Sequence, residues 1–323
     1  MASGFWQIPM EEKSKPLTAF RTEDGLFQFT RMPFGLTNAP RSFQRMANAI
    51  LAGLKGLNLQ AFIDDICIET DTWEEHLDLL EKLFQIIIDS NLKLKGSKCL
   101  FGADKIIFLG HEISKDGLRQ DPKKLAAIQK LPAPTDKTKV KQFLGMSSYY
   151  RKFVPNFAKL SEPLTRLTRK DVTWNWKEEQ QTAFKRIIEE LSKNATLAHF
   201  NHHDPLMLKT DASKQGVAGI LLQQQNGDWK IVTCCSRRLS ASESNYGITD
   251  LEGLAIVYSV QKLRPYLLGK PFDIITDHCA LCVLNSRQPQ SARLKRWAIV
   301  LSEFNFKIKY TKGGLHQDVD CLC

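Results

Sequence analysis

Apolar spacing changes along the 323-residue chain, and each change predicts a different kind of element. Ala61-Phe62-Ile63 and Ile66-Cys67-Ile68 are short, partly β-branched apolar runs around Asp64-Asp65, which predicts a hairpin with two acids at or beside its tip. Upstream, the stretch 33–44 opens with breakers and then turns apolar at helical spacing through Phe43, Met46, Ala47 and Ile50, a loop entering a helix. Downstream, Thr72-x-x-Glu75 is a capping box ahead of Leu77, Leu80, Phe84 and Ile87, which predicts an amphipathic helix with that stripe in the core. Asp121-Pro122 supplies an N-cap and a proline at the first helical position. Short helices follow, separated by Leu131-Pro132-Ala133-Pro134 and Val154-Pro155-Asn156. Trp174-Asn175-Trp176 precedes a further helix carrying Phe184, Ile187, Ile188 and Leu191. From about residue 206 the texture turns to strands, at 206–209, 217–222 and 231–235. A helix bearing Leu254, Ile256, Val257 and Val260 comes next, then a strand ending at Thr276, then the alternating strand Phe304, Phe306, Ile308, Tyr310.

Composition adds one asymmetry. Hydrophobic content of 43% and charged content of 25% are ordinary for a folded domain protein. Residues 119–170, however, hold thirteen Lys/Arg against three Asp/Glu, which equals the whole net charge of +10. A solvated helical surface accounts for many charge runs, but an excess this local favours a polyanion, and phosphate backbone is the commonest one. No run is long enough to span a bilayer and no basic-then-apolar leader opens the sequence, so an intracellular chain with no membrane partner is expected. Cys279-x-x-Cys282 and Cys321-x-Cys323 lack a second properly spaced pair for zinc, and the eight cysteines read as free thiols.

Two adjacent carboxylates repel and raise each other's pKa, so the Asp64-Asp65 tip suits a divalent cation. Taken alone, the stretch reads more readily as an Asp-Asp turn. Its surroundings carry more: Ser3-Gly4-Phe5-Trp6-Gln7, Thr18-Ala19-Phe20-Arg21, Met32-Pro33-Phe34-Gly35-Leu36-Thr37-Asn38-Ala39-Pro40, then Phe108-Leu109-Gly110-His111, Phe143-Leu144-Gly145 and Tyr149-Tyr150-Arg151. In this order the set resembles the reverse transcriptase of Ty3/gypsy-type LTR retrotransposon Pol polyproteins, and the likeness continues through a ribonuclease H over essentially the whole chain. The resemblance implies a multidomain α+β and α/β fold. Its expected parts are a palm with partial fingers at 1–115, a basic helical thumb at 116–172, a tether helix at 173–200 and a ribonuclease H-like domain with a mixed sheet at 201–323. It implies that Asp64 and Asp65 are catalytic metal ligands, that Phe5 lies under the incoming sugar, and that Phe34 and Gly35 line the nucleotide pocket. For Phe5 an ordinary core aromatic is an equal reading of the bare residues, and for Phe34 and Gly35 a plain helix entry.

In the C-terminal part, strand, strand, strand, helix, strand, helix, strand is the ribonuclease H order. The resemblance then implies that Asp211, Glu252, Asp277 and Asp320 are its four acids, with Asp318 the competitor for Asp320. Acids at strand ends and a helix start can converge on one sheet edge and hold two Mg²⁺ (or Mn²⁺) ions about 3.5–4 Å apart. The expected partners are RNA-DNA hybrid, primer-template and deoxynucleoside triphosphates, with two ions per active site. In the family the first polymerase aspartate sits three residues before the serine of Ser3-Gly4-Phe5, one position ahead of Met1, so impaired polymerisation is expected of this chain. The competing reading is a non-catalytic, retroelement-derived nucleic-acid-binding protein. The four ribonuclease acids favour the enzyme, and the missing aspartate and short fingers favour the alternative for the N-terminal half.

Overall fold

Capping chemistry starts the helices where the sequence places them. In the computed structural model, Thr72 Oγ1 accepts from the Glu75 amide at 3.2 Å, and Asp121 and Asp136 accept from the Lys123 and Lys139 amides at 2.9 Å each. The structure describes residues 1, 3–54, 56, 58–193, 195–276 and 292–310. The chain forms two compact units, Met1–Ala103 and Asp104–Cys323.

In the first unit β1 (Phe20–Thr22) and β2 (Gly25–Phe27) pair antiparallel. Helix α1 (Ala39–Ile50) follows, then the antiparallel hairpin β3 (Leu59–Phe62) and β4 (Asp65–Ile68), then α2 (Trp73–Asp89). Helix α1 buries Ala39, Phe43 and Ala47, close to the predicted stripe. Helix α2 departs from its prediction. It buries Leu79, Leu83 and Ile87, whereas Leu77 is 49% exposed and Phe84 36%. Its sequence carries apolar residues on two overlapping stripes, and the one that meets Leu51 and Leu54 is the one buried.

The second unit opens with a meander of β5 (Lys105–Phe108), β6 (His111–Ser114) and β7 (Gly117–Gln120). Residues 104–115, expected with the first segment, thus belong to the same contact unit as the helices after them. Those helices are α3 (Pro122–Gln129), α4 (Lys137–Tyr149), α5 (Phe157–Leu160), α6 (Glu162–Leu167) and α7 (Glu178–Ser192). They share a core built on Ile128, Val140, Phe143, Leu164, Phe184 and Ile187.

A five-stranded mixed sheet completes the unit, from β8 (Leu206–Ala212), β9 (Gly216–Gln225), β10 (Asp228–Arg238), β11 (Pro271–Thr276) and β12 (Asn305–Tyr310), in the order β10-β9-β8-β11-β12. The first three strands are antiparallel, and β11 runs parallel to both β8 and β12. Helix α8 (Ile248–Lys262) and the short α9 (Arg264–Leu267) precede β11, and α10 (Ala292–Leu301) precedes β12. The strands and helices therefore follow the predicted order. Among the described residues no helix is long and apolar enough to cross a membrane, and Cys67, Cys99, Cys234 and Cys235 are free. Cys279, Cys282, Cys321 and Cys323 lie outside the described residues.

His111 is set among Tyr149, Tyr150 and Phe153, with its Nδ1 2.9 Å from the Leu109 carbonyl. Burial, then the positive charge of Lys152, lowers its pKa below the ordinary histidine value, and Lys124 adds to this against the opposing pull of Asp121. A depressed folded pKa means that the unfolded chain takes up the proton first as pH falls. Stability contributed by neutral His111 is therefore full above about pH 6.5, the unfolded value, and is lost as pH falls from there through the folded value. Urea denaturation midpoints should drop between pH 7.5 and pH 5.5, and His111→Phe should flatten that dependence.

Candidate functional site

Two acid positions were expected, one in each unit. In the first, Leu59 pairs with Ile68 and Phe62 with Asp65, so Ile63 and Asp64 form a two-residue turn and Asp65 begins β4. Ile63 adopts φ 50°, a conformation unfavourable for a β-branched residue, at a cost of about 1–3 kcal/mol. Gln44 of α1 holds the turn against that strain. Its Oε1 accepts from the Ile63 amide at 2.7 Å and its Nε2 donates to the Ala61 carbonyl at 3.0 Å. Reading the sequence gave Gln44 no role, since it stands between Arg41 and Asn48 on the helix surface and no local pattern marks it.

Asp64 is half-buried and Asp65 exposed. Asp64 Oδ1 is buried with no hydrogen-bond partner among the described residues. A β-carbon on Gly4 would come within 2.1 Å of that oxygen and 2.7 Å of the Phe43 ring, so only glycine fits the facing turn. The orphaned carboxylate oxygen and the exposed Asp65 beside it form a hard-oxygen donor set that fits Mg²⁺ or Mn²⁺. Around it, the Phe5 ring lies 5.3 Å from Phe34 and 5.6 Å from Phe43, and Trp6 lies 5.9 Å from Phe34. Phe34 is 63% exposed, and Gly35, at φ 94°, has open space where a side chain would stand. Phe5 and Phe34, singled out separately from the sequence, thus form one aromatic wall, with Gly35 next in the chain.

In the second unit Asp211 is the penultimate residue of β8, paired with Ala218 of β9. Glu252 lies in the first half of α8 and is only 5% exposed. Their neighbours meet: Leu254 and Ala255 of α8 share a cluster with Val217 and with Ala212, next to Asp211. Gly219 makes this closeness possible, since a β-carbon there would stand 2.2 Å from Ser259 Oγ of α8. Asp250, two residues before Glu252, is an ion-pair partner of Arg293, whose guanidinium also stacks 3.7 Å over Tyr246. Glu252, by contrast, is the buried acid of α8. Strand β11 ends at Thr276, and Asp277, Asp318 and Asp320 lie outside the described residues. Among the described residues no group of three or more metal-ligating side chains is present. Asp211 and Glu252 are acceptor-only oxygens and match a hard divalent cation in chemistry.

The family model "Reverse transcriptase (RNA-dependent DNA polymerase)" matches residues 1–113, and "RNase H-like domain found in reverse transcriptase" matches residues 201–304. The chain is 38% identical over its full length to the retrovirus-related Pol polyprotein from transposon 297 of Drosophila melanogaster, covering 30% of that protein. It is 32% identical, again over its full length, to the Tf2-3 polyprotein of Schizosaccharomyces pombe, covering 24% of it. It therefore spans less than a third of the length of these relatives. Among solved structures, a foamy viral protease-reverse transcriptase in complex with dsDNA is similar over 97% of this chain and 66% of its own, with a TM-score of 0.81 and 25% identity. The foamy viral protease-reverse transcriptase dRH in complex with ds DNA gives 0.83 and 25%, over 97% of this chain and 56% of its own.

The Gln44 clamp predicts a measurable cost. Gln44→Ala leaves the Ile63 amide and the Ala61 carbonyl without that partner and should destabilise the first unit by about 1–3 kcal/mol in urea denaturation. Gly4→Ala, which drives a methyl group into Asp64 and Phe43, should cost more than Gln44→Ala in the same assay.

Proposed function

This chain belongs to the reverse transcriptase family of Ty3/gypsy-type retrotransposon Pol polyproteins, and from that premise we propose that it hydrolyses the RNA strand of RNA-DNA hybrids and carries part of a DNA polymerase site. Its fold is that of a reverse transcriptase joined to a ribonuclease H-like domain with a mixed sheet. The observation that carries the ribonuclease reading is the packing of the Asp211 end of β8 against the half of α8 that bears the buried Glu252.

In this reading Asp211, Glu252, Asp277 and Asp320 are the ribonuclease acids. They would hold divalent cations through hard oxygens, and Asp64 and Asp65 would do the same at the hairpin. When bound, Mg²⁺ or Mn²⁺ supplies Lewis-acid polarisation of the phosphodiester and a more acidic water. The chain's own residues do the placing. In this reading α8, which packs closely on β9 where Gly219 meets Ser259, would carry Glu252, β8 would carry Asp211, and Asp250 is engaged by Arg293. At the hairpin, Phe5, Phe34 and Gly35 form the wall against which a deoxynucleoside triphosphate would seat.

Segment 116–172 reads as the thumb and contacts primer-template. Lys123, Lys124 and Lys130 on and after α3, and Lys139 and Lys141 on α4, are exposed and carry no base-reading motif. Such contacts give affinity with little sequence preference.

Cleavage of a labelled hybrid in Mg²⁺ or Mn²⁺ tests the assignment. Asp211→Asn should abolish it, with a loss of at least about a hundredfold. Asp64→Asn should leave it within about twofold, because the hairpin acids serve another reaction; cleavage that survives Asp211→Asn would refute the site. A salt titration gives a second check: hybrid affinity should fall at least about tenfold from about 50 to about 200 mM salt, equally for unrelated sequences.

A further inference from the structure

Asn156 occupies a turn that few residue types adopt. Its φ is 49°, in the left-handed region, and its carbonyl accepts from the Lys159 and Leu160 amides at 2.9 and 3.1 Å as α5 begins. Backbone geometry explains an asparagine or a glycine there. It does not explain the side chain, which is buried at 8% exposure with an amide nitrogen that has no hydrogen-bond partner among the described residues. A buried donor left so costs about 1–3 kcal/mol, a cost that glycine would avoid.

The same side chain lines a small cavity together with Lys159, Asp211, Ser213 and Ser236. About 10 Å³ of it is open to the centre of a water-sized sphere, room for about one water. A water is stable in such a space when several polar groups surround it, and these five residues meet that condition. Segment 156–159 is also docked firmly on the sheet, since the Ala158 amide donates to Ser236 Oγ of β10 at 3.1 Å.

We propose that Asn156 is a positioning residue for Asp211, its amide and the carboxylate sharing one buried water in this cavity. The helical segment before the ribonuclease H-like domain would in this way set the orientation of a ribonuclease acid. The inference rests on the reading of Asp211 as an acid of that site. Carboxylates that ligate metals are held by hydrogen-bonded partners behind them, and loss of such a partner typically lowers metal affinity or rate about 10- to 100-fold.

Asn156→Gly in the full chain keeps the left-handed backbone and removes only the amide. Its thermal midpoint and hybrid Kd should stay near wild type, while calorimetric Mn²⁺ affinity and kcat for hybrid cleavage should each fall about tenfold. A merely structural Asn156 would move the thermal midpoint and leave Mn²⁺ affinity alone. Unchanged Mn²⁺ affinity and kcat in a folded Asn156→Gly protein would overturn the proposal. If that variant does not fold, a high-resolution crystal structure of the wild type decides: an ordered water between Asn156 and Asp211 supports it, and a cavity without one overturns it. Failure of the underlying site reading is separate, because it would show as an Asp211→Asn protein that still cleaves hybrid.

Discussion

Close approach without a β-carbon is the constraint on which both acid positions depend. At the hairpin, Gly4 lets a turn close onto Asp64 and Phe43 at a distance no side chain would permit. In the mixed sheet, Gly219 lets α8 settle against β9 at Ser259, and Gly216, beside the end of β8, faces the Arg237 carbonyl at 2.7 Å from where its β-carbon would be. Cores resist added volume because their packing is already dense. A methyl group at Gly4 or Gly219 would shift the element that carries a carboxylate, so these positions bear on geometry as well as on stability.

Local signals were readable in the sequence, and contacts made at long range were not. The Asp64-Asp65 hairpin, the caps at Thr72 and Asp121, and the strand and helix order of the mixed sheet each rest on neighbours within a few residues. The buried face of α2 was misread because Leu77, Leu79, Leu80, Leu83, Phe84 and Ile87 support two stripes, and only the partner surface chooses between them. Gln44 meets Ala61 and Ile63 across 17 and 19 residues, and Asn156 lines a cavity with Asp211 from farther still, where no periodicity points. Tyr150 proves to be 1% exposed, with its hydroxyl donating to the Gly110 carbonyl at 2.9 Å, and burial raises its pKa to about 12.

Charge in the basic segment divides between structure and surface. Arg119 donates to Thr196 Oγ1 at 2.7 Å, Lys137 caps the Arg169 and Val172 carbonyls, and Arg166 pairs with Glu179 at 2.6 Å. Lys152 lies over the Phe153 ring, and burial lowers its pKa. These groups hold the helices together and have less freedom to meet a phosphate. Lys123, Lys124, Lys139 and Lys141 of α3 and α4 remain exposed, as do Lys130, Arg169 and Lys170, so the segment's capacity for a polyanion is smaller than its formal excess.

The change of texture near residue 206 marks a change of secondary structure, while the contact unit runs on from Asp104. Arg151 donates to the Ser236 carbonyl of β10, Tyr258 of α8 donates to the same carbonyl at 3.1 Å, and Arg238 of β10 pairs with Glu162 of α6 at 3.3 Å. Bonds that converge on one strand from both sides in sequence couple the helices before it to the helix after it. A groove or cavity lined from both sides then responds to either, and substitutions in residues 151–162 act on the sheet without lying in it. Such coupling keeps the helices of residues 151–167 and the sheet in fixed register within this unit.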